Sequence, residues 1–63
     1  MITRAADIRP GDRIMHGDTF ELVTNVVMSP SDSWVRISVV PRSPFDIGKD
    51  YYHHSGDEME VRT

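Results

Sequence analysis

Apolar and polar positions alternate along this chain over short stretches, and nowhere do apolar residues recur convincingly at helical spacing. The clearest stretch runs from Phe20 to Val40. Phe20 to Met28 and Trp34 to Val40 are two runs rich in β-branched and aromatic residues, and Ser29-Pro30-Ser31-Asp32-Ser33 between them is made of turn formers. This pattern predicts a hairpin. In its first strand, Phe20, Leu22, Thr24, Val26 and Met28 share one face, which is assigned to the core. Glu21, Val23, Asn25 and Val27 share the other. In its second strand Val35, Ile37 and Val39 are expected to point inward, with Trp34, Arg36 and Ser38 outward. A one-residue slip would bring charge inside, so the pairing is expected to be well specified.

Three shorter runs flank the hairpin. Met1 to Ala6 reads as an extended lead-in, and Ala5 to Ile8 has room for one helical turn at most. Pro10-Gly11 is a strong turn signal, because proline presets φ and glycine accepts positive φ. Asp12 to His16 then has the length of a short strand, which Gly17-Asp18 turns into the hairpin. Pro41 and Pro44 end the central ribbon. Phe45 to Asp50 reads as an irregular crossing, with Phe45 and Ile47 as plugs at one end of the core. Tyr51 to His54 is a short aromatic strand, and Glu58 to Arg62 is a closing strand with Met59 and Val61 inward. Five strands spaced by Gly, Pro and Asp turns predict an all-β fold, a small five-stranded barrel closed to hide its edges. It occupies residues 1–63 as a single domain.

Size limits what such a fold can do. A chain of 63 residues buries only about 60% of its unfolded surface. Its core supplies no more than roughly 3–5 kcal/mol. There is no cysteine, so neither a disulfide nor a thiolate cage can add to that, and a reducing compartment fits best. The formal net charge is −3 with both signs interleaved, which disfavours attachment to nucleic acid or membranes by bulk positive charge. No apolar run has the length of a spanning helix, and the N-terminus lacks the apolar stretch of a signal peptide. The expected location is the cytoplasm.

Few residues suggest catalysis. His53 and His54 are adjacent, so on a strand they face opposite ways and cannot grip one ion together. A metal would need one of them beside His16 and a carboxylate such as Asp50 or Asp57, and the spacing does not call for it. Ser29, Ser31, Ser33, Ser43 and Ser55 lie in turns, where hydroxyls cap local backbone, and none is framed as a nucleophile elbow. Glycine-rich phosphate loops are absent. A barrel this small rarely encloses a ligand pocket of about 300 Å³ or more. The expectation is a non-enzymatic protein with no cofactor and no metal.

The aromatic residues say more. Trp34 and Arg36 fall on the outward face of their strand, and alternation sends either Tyr51 or Tyr52 outward with them. Trp, Tyr and Arg are the residue types that anchor protein interfaces, so Trp34, Arg36, Tyr51 and Tyr52 are the candidate partner-binding residues; the alternative for Trp34 is to fold over the barrel mouth and complete the core. The same rings could stack single-stranded bases. Against that stands the mixed local charge, with Arg36, Arg42 and Lys49 set among Asp32, Asp46 and Asp50. Asp46, Asp50, Asp57, Glu58 and Glu60 read as a solvated acidic face.

Two resemblances extend this reading. Asp7-Ile8-Arg9-Pro10-Gly11-Asp12-Arg13-Ile14, followed by a β-run, resembles the opening of hedgehog/intein (Hint) domains. Those domains splice with a Cys or Ser nucleophile and a Thr-x-x-His block. Here there is no Cys, and no Thr precedes a His at that spacing, so splicing is not expected. The order of turn, strand, long hairpin, short strand, Gly-Asp-Glu turn and closing strand is similar to SH3-like small barrels. Short orphan proteins of that design occur in actinobacteria and their phages. That resemblance implies a binding module, an accessory protein that modulates a larger host or phage complex through a protein partner. The alternatives are a small barrel that binds single-stranded nucleic acid and a homo-oligomer paired through a strand edge.

Overall fold

The computed structural model describes residues 1–40 and 48–62. Within them lie β1 (Ile2–Arg4), a 3₁₀ turn (Ala5–Asp7), β2 (Arg13–His16), β3 (Thr19–Met28), β4 (Trp34–Val39), β5 (Lys49–His54) and β6 (Glu58–Arg62). Every neighbouring pair is antiparallel, and the order across the sheet is β1-β6-β2-β3-β4-β5. The protein is one small all-β domain, as the alternation predicts. Among the described residues no helix is long and apolar enough to cross a membrane.

The strand count differs from expectation. The lead-in is itself a strand, since Ile2, Thr3 and Arg4 pair with Glu60, Met59 and Glu58. Ile2 is 57% exposed, so these residues carry no in–out pattern that a sequence reading could use. The N-terminal ammonium anchors the pairing by donating to Glu60 Oε1 at 2.9 Å and to the Val61 carbonyl at 3.1 Å.

The sheet is also not a closed barrel. Among the described residues, β1 and β5 stand at its two ends and no ladder joins them. A plug takes the place of closure. Ala5 and Ile8, in and just after the 3₁₀ turn, are fully buried and join the core of Ile14, Val23, Val35, Ile37, Val39, Met59 and Val61. The Ala5 and Ala6 N–H groups donate to the carbonyls of Asp57 and Ser55 at 2.7 and 3.1 Å, which ties the plug to the β5–β6 turn. Phe45 and Ile47, the plugs expected from sequence, lie outside the described residues.

The corner of the fold lies within β3. Its first part pairs with β2, from His16↔Thr19 to Arg13↔Leu22, and its second part pairs with β4. Val23 faces Val39 and Asn25 faces Ser38, so Thr24 is an extra residue, a β-bulge. A bulge bends a strand and resets its side-chain parity. The expected face of β3 is therefore corrected in its first half, where Glu21 and Val23 are buried, Phe20 and Leu22 are half-buried, and Thr24 is exposed. Beyond the bulge the expectation holds for Val26, which packs on the core, while Met28 remains 37% exposed at the hairpin end. Apolar residues occupy both parities from Phe20 to Val27, so alternation alone could not place the switch.

Backbone bonds stitch this corner. Arg9-Pro10-Gly11-Asp12 forms a turn in which the Asp12 N–H donates to the Arg9 carbonyl at 3.1 Å, and Gly11 has φ +97°. That is the conformation a type II turn requires at its third position, where only glycine sits without strain. The turn docks on β3: Gly11 N–H donates to the Val23 carbonyl at 2.9 Å, and Val23 N–H to the Asp12 carbonyl at 2.8 Å. On the other side Val40 N–H donates to the Leu22 carbonyl at 3.0 Å. The Arg9–Asp12 turn thus serves as a clamp on the bent strand.

In β4, Val35, Ile37 and Val39 are buried and Trp34 is exposed, in agreement with the predicted register. The Ser29–Ser33 turn before it is held by Ser29, which is 4% exposed. Its Oγ accepts from the N–H groups of Ser33 and Trp34 at 3.2 and 3.3 Å. β5 begins at Lys49, two residues earlier than its aromatic run suggests, because Lys49 and Asp50 continue the ladder opposite Val39 and Ser38.

Candidate functional site

The second part of β3, β4 and β5 make a three-stranded surface with two unlike faces. Inward lie Val35, Ile37 and Val39, with Tyr51 half-buried opposite Ile37. Outward, the ladder sets Val27, Arg36 and Tyr52 in one cross-strand row and Trp34 and His54 in the next. Residues opposed or diagonal on one face lie close enough for aromatic side chains to meet. The Trp34 and Tyr52 rings do so, with centroids 5.8 Å apart and planes inclined at 54°. Trp34 is 42% and Tyr52 63% exposed.

The structure thus gathers three of the four candidate binding residues, Trp34, Arg36 and Tyr52, on one face. It sends the fourth, Tyr51, inward. The Tyr51 hydroxyl donates to Glu21 Oε2 at 2.7 Å, and its ring stacks on His16 with centroids 3.9 Å apart. This contact spans the sheet from β5 to β2 and the first part of β3. It also explains how a carboxylate is accommodated inside so small a domain, since buried acids need hydrogen-bonding partners. The parity of Tyr51 is settled by this contact rather than by anything in its own dipeptide.

Beside the exposed rings is an open cleft of about 220 Å³, lined by Trp34, Tyr52, His53, His54 and Asp57. Asp57 is held at its rim by reciprocal bonds of the β5–β6 turn. The His54 N–H donates to Asp57 Oδ2 at 3.0 Å, and the Asp57 N–H to the His54 carbonyl at 3.0 Å. The same Oδ2 lies 3.6 Å from His53 Nδ1. Among the described residues, Arg36 Nε and His53 Nε2 are buried without a hydrogen-bond partner.

His53, His54 and Asp57 also line the cleft, although the sequence places them only among conceivable metal ligands. His54 was detectable in principle, because it shares the parity of Tyr52 two residues earlier. Asp57 was not, because only the fold of the turn returns it to the aromatic face. His16 stacks on Tyr51, and no group of three or more His, Cys, Asp or Glu side chains among the described residues could hold a metal ion. Comparison with known proteins finds no matching family model, no similar curated sequence and no similar solved structure.

Proposed function

We propose that this chain is a non-enzymatic protein-binding module, a cytoplasmic accessory protein of phage or actinobacterial type that modulates a larger complex. The observation that carries the reading is the exposed Trp34–Tyr52 pair beside Arg36, mounted on a paired sheet rather than on a loop. Exposed Trp, Tyr and Arg on a rigid support are the usual anchors of interfaces. Covering the exposed parts of the two rings contributes roughly 2–3 kcal/mol, comparable to a moderate hot spot. A sheet bent at a bulged long strand, with an N-terminal plug in its open side, also suits an SH3-like small barrel.

The test is photocrosslinking in the organism that makes the protein, with a benzophenone side chain replacing Tyr52. A discrete protein adduct that disappears in the Trp34→Ala background is expected. No adduct, an adduct indifferent to Trp34→Ala, or an adduct to nucleic acid overturns the proposal. Circular dichroism must show that the Trp34→Ala variant is folded; if it unfolds, Trp34 belongs to the core and the surface is wrongly assigned.

Pairing between copies is the second reading. Its support is that β5 ends the sheet, with no strand on its far side among the described residues. Antiparallel edges self-associate readily when uncovered. Sedimentation equilibrium decides it: a concentration-dependent dimer supports edge pairing, and a monomer at high concentration removes it.

A further inference from the structure

The cleft beside the aromatic pair has a composition that selects among ligands. We infer that it is a half-cage for an alkylammonium head, the ε-ammonium of a lysine side chain or its methylated form, presented by the protein partner. The inference rests on the proposed binding function and names the chemistry that its anchor site recognises.

Three features of the site point to this ligand. The Trp34 and Tyr52 rings pack against each other with centroids 5.8 Å apart and planes inclined at 54°, so a compact cation can lie over the exposed pair, within about 6 Å of both rings, but not between them. Aromatic faces attract cations through the ring quadrupole, most strongly for Trp, and quaternary ammonium groups are recognised by several such rings. A flat guanidinium would lie parallel to one of the two rings and engage that ring alone. The second feature is charge. Among the described residues lining the cleft, Asp57 is the one side chain of fixed charge, and it is negative. Its Oδ2 is oriented by the His54 N–H, so the carboxylate is held at the rim before any ligand arrives. Arg36 faces Tyr52 across the β4–β5 ladder but does not line the cleft. The third feature is size. A volume of 220 Å³ is below the roughly 300–1,000 Å³ of sites that enclose whole small molecules. It suits one side-chain head.

Trp34 is the single tryptophan of the chain, so one indole N–H resonance reports directly on the site. The experiment titrates the 63-residue protein with Nα-acetyl-Nε-trimethyllysine amide at constant ionic strength, followed by NMR. Parallel titrations use the neutral isostere carrying a tert-butyl group, unmethylated Nα-acetyl-lysine amide and Nα-acetyl-arginine amide. The expected result is saturable movement of the Trp34 indole and Tyr52 ring signals in the millimolar range, with upfield ring-current shifts of the probe's N-methyl protons. The neutral isostere should bind at least about fivefold more weakly, as loss of the cation–π attraction requires. Asp57→Asn retains an oxygen for the His54 N–H and should weaken the cation about two- to fivefold. Tyr52→Leu should remove the movement of the Trp34 indole, and Trp34→Leu that of the Tyr52 ring and the probe's N-methyl signals, while both keep apolar bulk on the strand.

Equal binding of the neutral isostere, tighter binding of the arginine probe, shifts that survive Trp34→Leu, or no shift up to tens of millimolar overturns the inference. Failure here is separable from failure of the proposed function. A Trp34-dependent protein adduct with no response to ammonium probes means that the surface binds a partner through other chemistry. No adduct at all removes the surface itself.

Discussion

The two parts of β3 solve the same problem in opposite ways. Before Thr24 the strand buries Glu21 and Val23, and a carboxylate sits inside the domain with the Tyr51 hydroxyl 2.7 Å away. After Thr24 it supports a region whose interior is aliphatic and whose outer face carries Trp34 and Tyr52, both in water. One region hides a polar group and satisfies it. The other exposes rings that burial would favour. A hydrogen bond compensates the first arrangement within the molecule, whereas in the second the two rings cover each other only in part and leave the rest of their surface to solvent.

The contrast can be broken most severely at the aliphatic interior. Ile37 is fully buried on the inward face of β4, and Ile37→Ala should cost about 2–5 kcal/mol. That equals most of the stability available to so small a core, so urea denaturation should show a large unfolded population even without denaturant. A native-like midpoint would mean that the interior is not organised around β4.

Next comes the polar interior. Glu21→Ala leaves the Tyr51 hydroxyl without this acceptor and should lower stability by about 1–3 kcal/mol. Glu21→Gln, whose amide oxygen still accepts, should cost less than half as much by the same measurement. Equal losses for the two variants would show that the hydrogen bond is not what keeps the side chain inside.

A smaller effect tests the hairpin that presents Trp34. Ser29→Ala removes the acceptor for the Ser33 and Trp34 N–H groups, so a loss of about 1 kcal/mol is expected in thermal unfolding. The exposed face should respond least. Trp34→Ala is expected to alter stability by no more than about 0.5 kcal/mol, the usual range for surface positions. A loss above about 2 kcal/mol would erase the distinction between the two regions and with it the candidate site.

Much of this organisation was legible beforehand for specific reasons. Val35, Ile37 and Val39 alternate with polar or surface residues without exception, so β4 had one plausible orientation. Pro10-Gly11, Gly17-Asp18 and the Ser29–Ser33 turn carry strong local preferences that tertiary contacts did not override. Gly17, with φ +64°, occupies the first central position of its two-residue turn, where a hairpin favours glycine. β1 was not legible, because its partner β6 is more than fifty residues away and Ile2 is left largely in water. Of the site, Trp34 and Arg36 followed from parity, whereas Asp57 reached it only through the turn that folds back beside His54.

From its own residue order this chain determined that it is β throughout, where most of its turns fall, and which face of β4 is dry. Those properties depend on neighbours a few positions apart, and local sterics and in–out periodicity suffice to set them. The position of the bend at Thr24, the inward choice of Tyr51 over Tyr52 and the plug of Ala5 and Ile8 were decided by the tertiary structure. Each depends on a contact between segments distant in sequence, whose free energy exists only once both surfaces are already in place.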